Sequence, residues 1–410
     1  MTETLRAVTV PLDTNLDLND VARTSGCLFV RDGVGFAGRG QVARVGVDEV
    51  VDFLASIPHD DRVGGTPGPI ALGSIPFLPG AAAELLVPRV VVGKGADGRR
   101  WITTIGDPHT HTGTDPQTES GTDADIVSGV DPDATAASYT IRPGIEVDRY
   151  LSAVEQARDA VRAGRLDKAV IARPIFVESD QPIDIHAVLK RLKATFGSSY
   201  RFSIDGFIGA SPELLVGVDG DVVSAHPLAG TTRTTGDPVL DAQLAAELQS
   251  SDKNQIEHRA AIEMVRDTLL PFCSYLDWAP EPSIVKVANV QHLGSMAEGR
   301  LSKPTPTVIE LVRALQPTPA VGGYPRDEAL ALIADIEGFD RGRYGGAVGW
   351  VDGAGNGTWA VALRCAELSA DRRTARLVAG GGIVAASEPL AELAETQAKF
   401  QAMLSAIVRP

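Results

Sequence analysis

Cysteine is scarce in this chain: 410 residues contain three, Cys27, Cys273 and Cys365, in no spacing that suits a metal. A disulfide scaffold is thereby excluded, and buried thiols in a reducing cytoplasm are expected. Also missing is any run of about 18 apolar residues, so no transmembrane helix is expected. The N-terminus, MTETLRAVTVPLDTNLDLND, lacks a basic segment followed by an apolar one and does not read as a signal peptide. No internal repeat of about 20 to 50 residues stands out. Positive charge is in deficit, with 38 Lys and Arg against 53 Asp and Glu, a formal −15. That acidic balance argues against nucleic acid or an anionic membrane as partner. An anionic ligand would need a local cluster of Arg, Lys and metal to overcome the field.

What is present describes a globular protein of one large domain or two smaller ones, 44% hydrophobic and 22% charged. Residues 106–138 are rich in Thr, Asp, Ser, Gly and Pro and read as a long polar loop. His109 and His111 lie in it without a third ligand in view. Before it, PIALGSIPF and LLVPRVVVG read as strands. After it, EVDRYLSAVEQARDAVRAG reads as a helix with Val147, Leu151, Val154 and Val161 near one face and Gly164 as its cap. A continuous helical pattern runs from about Asp241 to Leu270, and residues 327 to 337 are helical again. GRYGGAVGWVD, TWAVALRCAEL and RTARLVAGGGIV are strand-like runs separated by Gly and Asp, which predicts antiparallel pairing. The coarse class is α+β.

The residues with chemical potential crowd into 165–400. Lys168 opens an apolar strand in LDKAVIAR: either a snorkelling surface lysine or a partly buried amine able to act as a base. Glu213, in GASPELLVG, is an exposed strand end or, near a cleft, a general acid. HPLAGTTRTTGD reads as a Gly/Thr turn able to cup a carboxylate or phosphate, although the GxxxxGK[ST] pattern is absent. Arg364 sits in an apolar run, where a charge must be paired or ligand-bound if buried. In EPLAELAETQAKF, Glu388, Glu392, Glu395 and Lys399 recur at three- and four-residue spacing on one helical face. They form either a solvated stripe or an inward set of carboxylates around a cation.

Taken in order, PLAGT, KNQIEH, HLGS, PTPAVGGYP, GRYGGAVGW, VALRCAEL, AGGGIV and ELAETQAKFQAML resemble the motifs of chorismate-utilising enzymes. That group includes isochorismate synthases, salicylate synthases, anthranilate synthase large subunits and aminodeoxychorismate synthases. The resemblance covers about residues 140–405; residues 1–135 are less distinctive, apart from ALGSIPF. It implies a single chorismate-binding domain over 1–410, with two large antiparallel sheets flanked by helices around a central cleft. Ala229 stands where PIKGT enzymes carry a nucleophilic lysine. Lys168 stands where ammonia-using members carry glutamine, and TTRTT replaces their TRPRG. The resemblance therefore implies water as the nucleophile.

Carried over residue by residue, the resemblance makes Lys168 the base for water attack at ring carbon 2. Glu213 becomes the acid that protonates the hydroxyl leaving carbon 4. It implies Mg²⁺ held by Glu257 and Glu395 with Glu392 nearby. Gly230, Thr231, Thr232, Tyr344, Arg364, Gly380 and Lys399 are then the substrate-binding residues. The implied activity is that of an isochorismate synthase, an isomerase feeding menaquinone or siderophore biosynthesis, active as a cytoplasmic monomer without a glutaminase subunit. The alternatives are a salicylate synthase, which goes on to eliminate pyruvate, and a non-catalytic chorismate-binding paralogue. Three positions depart from the family pattern: Gln316 for a histidine, Asn254 for an acidic residue, and Gly381 for alanine.

Overall fold

The computed structural model describes residues 5–106, 137–287 and 290–408. Most of the polar stretch 106–138, with His109 and His111, lies outside the described residues. Two large sheets dominate, one of 13 strands and one of nine, with a third of three strands beside them. Pairing is antiparallel throughout the described strands, except where Arg6–Pro11 runs parallel to His59–Asp61. Strands from the first hundred residues belong to both large sheets. Cys27–Arg31 pairs with Tyr200–Ile204, and Ile70–Ile75 pairs with Ala347–Asp352.

Alternation drives this architecture. Val222–His226 buries every second residue, as a strand with one apolar face must. Phe29, Phe202 and Phe207 from the larger sheet meet Leu72, Val348 and Ala360 from the smaller one in a common core. Each Phe, Leu or Val side chain so buried contributes about 1.5–3 kcal/mol. The outer face of the larger sheet is covered by the helices Ile185–Thr195 and Pro389–Val408. Leu189, Leu192, Phe400, Met403 and Ile407 pack there on Ile175, Val177 and Leu377.

Four sequence expectations need correction. The helix Val147–Arg162 buries Tyr150, Ala153, Val154, Ala157 and Ala160, whereas Val147 is 39% exposed. Val154 is fully buried and Leu151 and Val161 pack against the core, so of the face marked in the sequence only Val147 falls outside the contact, which the alanines complete. The pattern from Asp241 to Leu270 is two helices, Pro238–Ser250 and Asp252–Leu269. They are divided at Ser251, whose hydroxyl caps the second by accepting from Asn254 N. The segment read as a Gly/Thr turn contains a strand, Leu228–Arg233, paired with Val290–Gly294. Gly230 forms a bulge there at φ +73°, and the adjacent threonines are at home in extended backbone. Finally, Arg364 is not within a strand. The chain leaves the smaller sheet at Val361 and joins the larger one at Cys365, and Arg364 is in the bend between them with φ +49°.

Candidate active site

That bend helps to close one wall of a cavity of about 270 Å³. Ten of the residues singled out from the sequence line it: Lys168, Glu213, Gly230, Thr231, Glu257, Tyr344, Arg364, Gly380, Glu395 and Lys399. Two do not. Thr232 points its backbone into the pairing with Gln291, and Glu392 is buried beside the cavity, outside its lining.

Lys168 is the first residue of the strand Lys168–Ser179 and is 8% exposed, so the snorkelling reading does not hold. Its Nζ is 3.8 Å from Glu257 Oε2, an ion pair beyond hydrogen-bonding reach. Gly382, across the ladder from Val170, packs directly against the lysine side chain. A Cβ there would sit 2.5 Å from Lys168 Cε and 3.1 Å from Nζ. Gly382→Ala is therefore expected to displace the amine and lower kcat by about 10- to 100-fold. Steady-state kinetics beside circular dichroism, showing unchanged folding, checks this.

Glu213 occupies the short link between the strands Phe207–Ser211 and Leu214–Asp219 and is 2% exposed. Burial pushes its carboxyl up to about 8, against the smaller opposing effects of the Leu228 N–H and Lys168. It is therefore largely protonated at neutral pH, the state a general acid requires.

The C-terminal helix begins at Pro389, so Glu388 lies outside it and is exposed. Lys399 Nζ is held 2.6 Å from Glu395 Oε1 and donates to the Gly380 carbonyl at 2.7 Å. A Cβ on Gly381 would fall 2.7 Å from Glu392 Oε2 and 3.9 Å from Glu395 Oε1. The departure from alanine at this position thus leaves room where these two carboxylates approach the strand. Among the described residues no group of three or more His, Cys, Asp or Glu side chains is close enough to hold a metal ion by itself.

Positive and hydrogen-bonding groups face the carboxylates. Burial lowers the Arg364 pKa, while Tyr344 and Glu395 act to raise it. Burial pushes the Tyr344 phenol up to about 12, so it stays a donor. Asn254 also lines the cavity, close enough to Gly230 that a Cβ there would be 3.1 Å from its Oδ1.

His292 was not singled out from the sequence, although its motif HLGS was. Its Nδ1 is 3.2 Å from the Gly230 carbonyl and 3.0 Å from Thr231 Oγ1, and it lines the cavity. Burial, then the Arg364 charge, pushes it down to about 3, so it is neutral. A carbonyl only accepts, which assigns the proton to Nδ1 and leaves a lone pair on Nε2.

A buried carboxyl, an amine, two further glutamates and an arginine fork share one cavity, lined by strands of the larger and of the three-stranded sheet. Residues 78–408 match the family model described as chorismate binding enzyme, and the chain belongs to that family. Isochorismate synthase DhbC of Bacillus subtilis (strain 168) is 38% identical over 365 residues, 86% of this chain and 84% of that one. Isochorismate synthase EntC of Escherichia coli (strain K12) is 33% identical over 362 residues, again 86% and 84%. The solved structure of MenF, the menaquinone-specific isochorismate synthase from Escherichia coli, matches with a TM-score of 0.83 at 25% identity. That match covers 100% of this chain and 95% of the other.

Proposed function

We propose that this protein is an isochorismate synthase, an isomerase that adds water at ring carbon 2 of chorismate and expels the hydroxyl from carbon 4. The observation that carries the assignment is the pairing of Lys168 and Glu213 in one cavity, the second with its carboxyl pushed up to about 8. Lys168, in its neutral amine form, takes a proton from the attacking water as the new C–O bond forms. The ring double bonds shift, and Glu213 gives its proton to the departing oxygen, which leaves as water. Arg364 and Tyr344 hold the substrate's carboxylates, the guanidinium offering a two-pronged match to one of them. The bend at Arg364 carries that fork at the cavity wall, with the Arg364 carbonyl accepting from Ala210 N at 3.1 Å.

Magnesium fits the donor set. It takes oxygen ligands and is commonly held by one or two carboxylates, with water and substrate oxygens completing the shell. Of the three glutamates on the cavity wall, Glu213 is assigned to the acid, which leaves Glu257 and Glu395 for the ion; Glu392 is buried outside the lining. Bound there, the ion would neutralise the ring carboxylate of the substrate. Water as nucleophile leaves no task for an ammonia-supplying glutaminase subunit, and the chain is read as a monomer at work in the cytoplasm. Among the described residues no helix is long and apolar enough to cross a membrane.

Incubation with chorismate and product chromatography tests the proposal. Isochorismate is expected with Mg²⁺ present, and chelation by EDTA is expected to lower the rate at least tenfold, restored by added Mg²⁺. Salicylate and pyruvate without an added lyase would assign the chain to the salicylate synthases instead. Binding without any turnover would make it a chorismate-binding paralogue.

A further inference from the structure

We infer that Glu337 and Arg341 are positioning residues for Lys168, completing the open edge of the strand that carries it. This rests on the reading of Lys168 as the base. One edge of Lys168–Ser179 is fully paired with Thr374–Ile383. The other is covered by Tyr139–Pro143 from Ile175 onward, with Gly144 N reaching the Pro174 carbonyl, and by Gly323–Tyr324 at Lys168 and Ala169, with the Gly322 carbonyl accepting from Val170 N at 2.9 Å. In the gap, side chains meet the backbone. Ala172 N donates to Glu337 Oε1 at 2.7 Å, and Arg341 Nη2 donates to the Val170 carbonyl at 2.6 Å.

The two side chains also bind each other. Arg341 Nε and Nη2 reach the Glu337 carboxylate at 2.7 and 2.6 Å. Arg341 Nη1 donates at 2.7 Å to the Val321 carbonyl, next to Ala320 on the cavity wall. Both side chains are 2% exposed. A buried ion pair is often no more stabilising than apolar residues of the same volume, so stability alone does not account for it. Its remaining hydrogen bonds all go to the backbone of the lysine strand and of the cavity loop. Side chains two apart on a strand share a face, and Lys168 and Val170 both line the cavity. A displacement at Val170 is therefore passed to the lysine two residues away.

The test uses Glu337→Gln, which keeps an acceptor for Ala172 but offers Arg341 one oxygen, and Arg341→Lys, which loses the fork. Both are measured for kcat, chorismate Kd, circular dichroism and amide hydrogen exchange. The expected result is native dichroism and kcat lowered about 10- to 100-fold. Chorismate Kd should stay within about threefold of the wild type, and exchange should accelerate at Ala172 above all, the amide that donates to Glu337. Folded variants with wild-type kcat would overturn the inference. So would exchange that rises equally throughout the molecule, or failure of both variants to fold, which would make the pair a stability device. A wild type that makes no isochorismate defeats the functional reading instead, and the local exchange still reports on the strand edge.

Discussion

Lys168→Ala is expected to lower kcat by about 10³- to 10⁴-fold, the upper part of the range for a general base, while chorismate Kd changes less than tenfold. The lysine is buried at the start of its strand, flanked by the Glu257 carboxylate at 3.8 Å and the bare face of Gly382. Substrate grip is assigned to other elements, Arg364 in the sheet-crossing bend and Tyr344 beside it, so binding should survive. Removing the amine leaves Glu257 without its ion-pair partner beside the cavity. Single-turnover kinetics with calorimetric chorismate binding separates the two effects. Retention of more than a tenth of wild-type kcat would remove Lys168 from the mechanism.

Glu213→Gln is expected to be both inactive and more stable. Gln cannot supply the proton for the hydroxyl leaving carbon 4, so kcat falls by about 10²- to 10⁴-fold. The stability sign follows from linkage. Burial raises the carboxyl from 4.5 to about 8, so the folded state binds a proton that the unfolded state has lost between those values. The favourable contribution is fully present below about pH 4.5 and is lost as pH rises to about 8. At pH 7 the cost is roughly 3 kcal/mol, which the neutral amide relieves. Denaturant unfolding of the two proteins at pH 4 and pH 7 should show a gap only at the higher pH. The wild-type kcat/KM should decline above about pH 8 as the acid ionises. An active Glu213→Gln variant, or one no more stable at pH 7, would contradict this.

Lys168, Arg364 and Lys399 stood out because each is a charge in an apolar or closely spaced context, and the order of motifs supplied the rest, Glu257 included. The stripe in EPLAELAETQAKF was legible as a periodicity, but its direction was not. Glu392 turns out buried, Glu395 and Lys399 partly so, and Glu388 lies outside the helix. Local competition hid other features. Ser251 is a plain cap signal, yet the apolar spacing on either side runs on as though unbroken. Arg364 looked like a strand residue because its neighbours are apolar; the change of sheet is a tertiary event that no local period marks. The Glu337–Arg341 pair spans i,i+4 across a helix end, which alone reads as a surface pair. Its backbone partners, Val170 and Ala172, are 171 and 165 residues away along the chain.

The central claim is that solvent water, activated beside Lys168, becomes the hydroxyl on carbon 2. Turnover of chorismate in H₂¹⁸O with Mg²⁺, followed by mass spectrometry of the product, measures this directly. Isochorismate carrying one ¹⁸O at the carbon 2 hydroxyl is the expected result, and unlabelled isochorismate would contradict it.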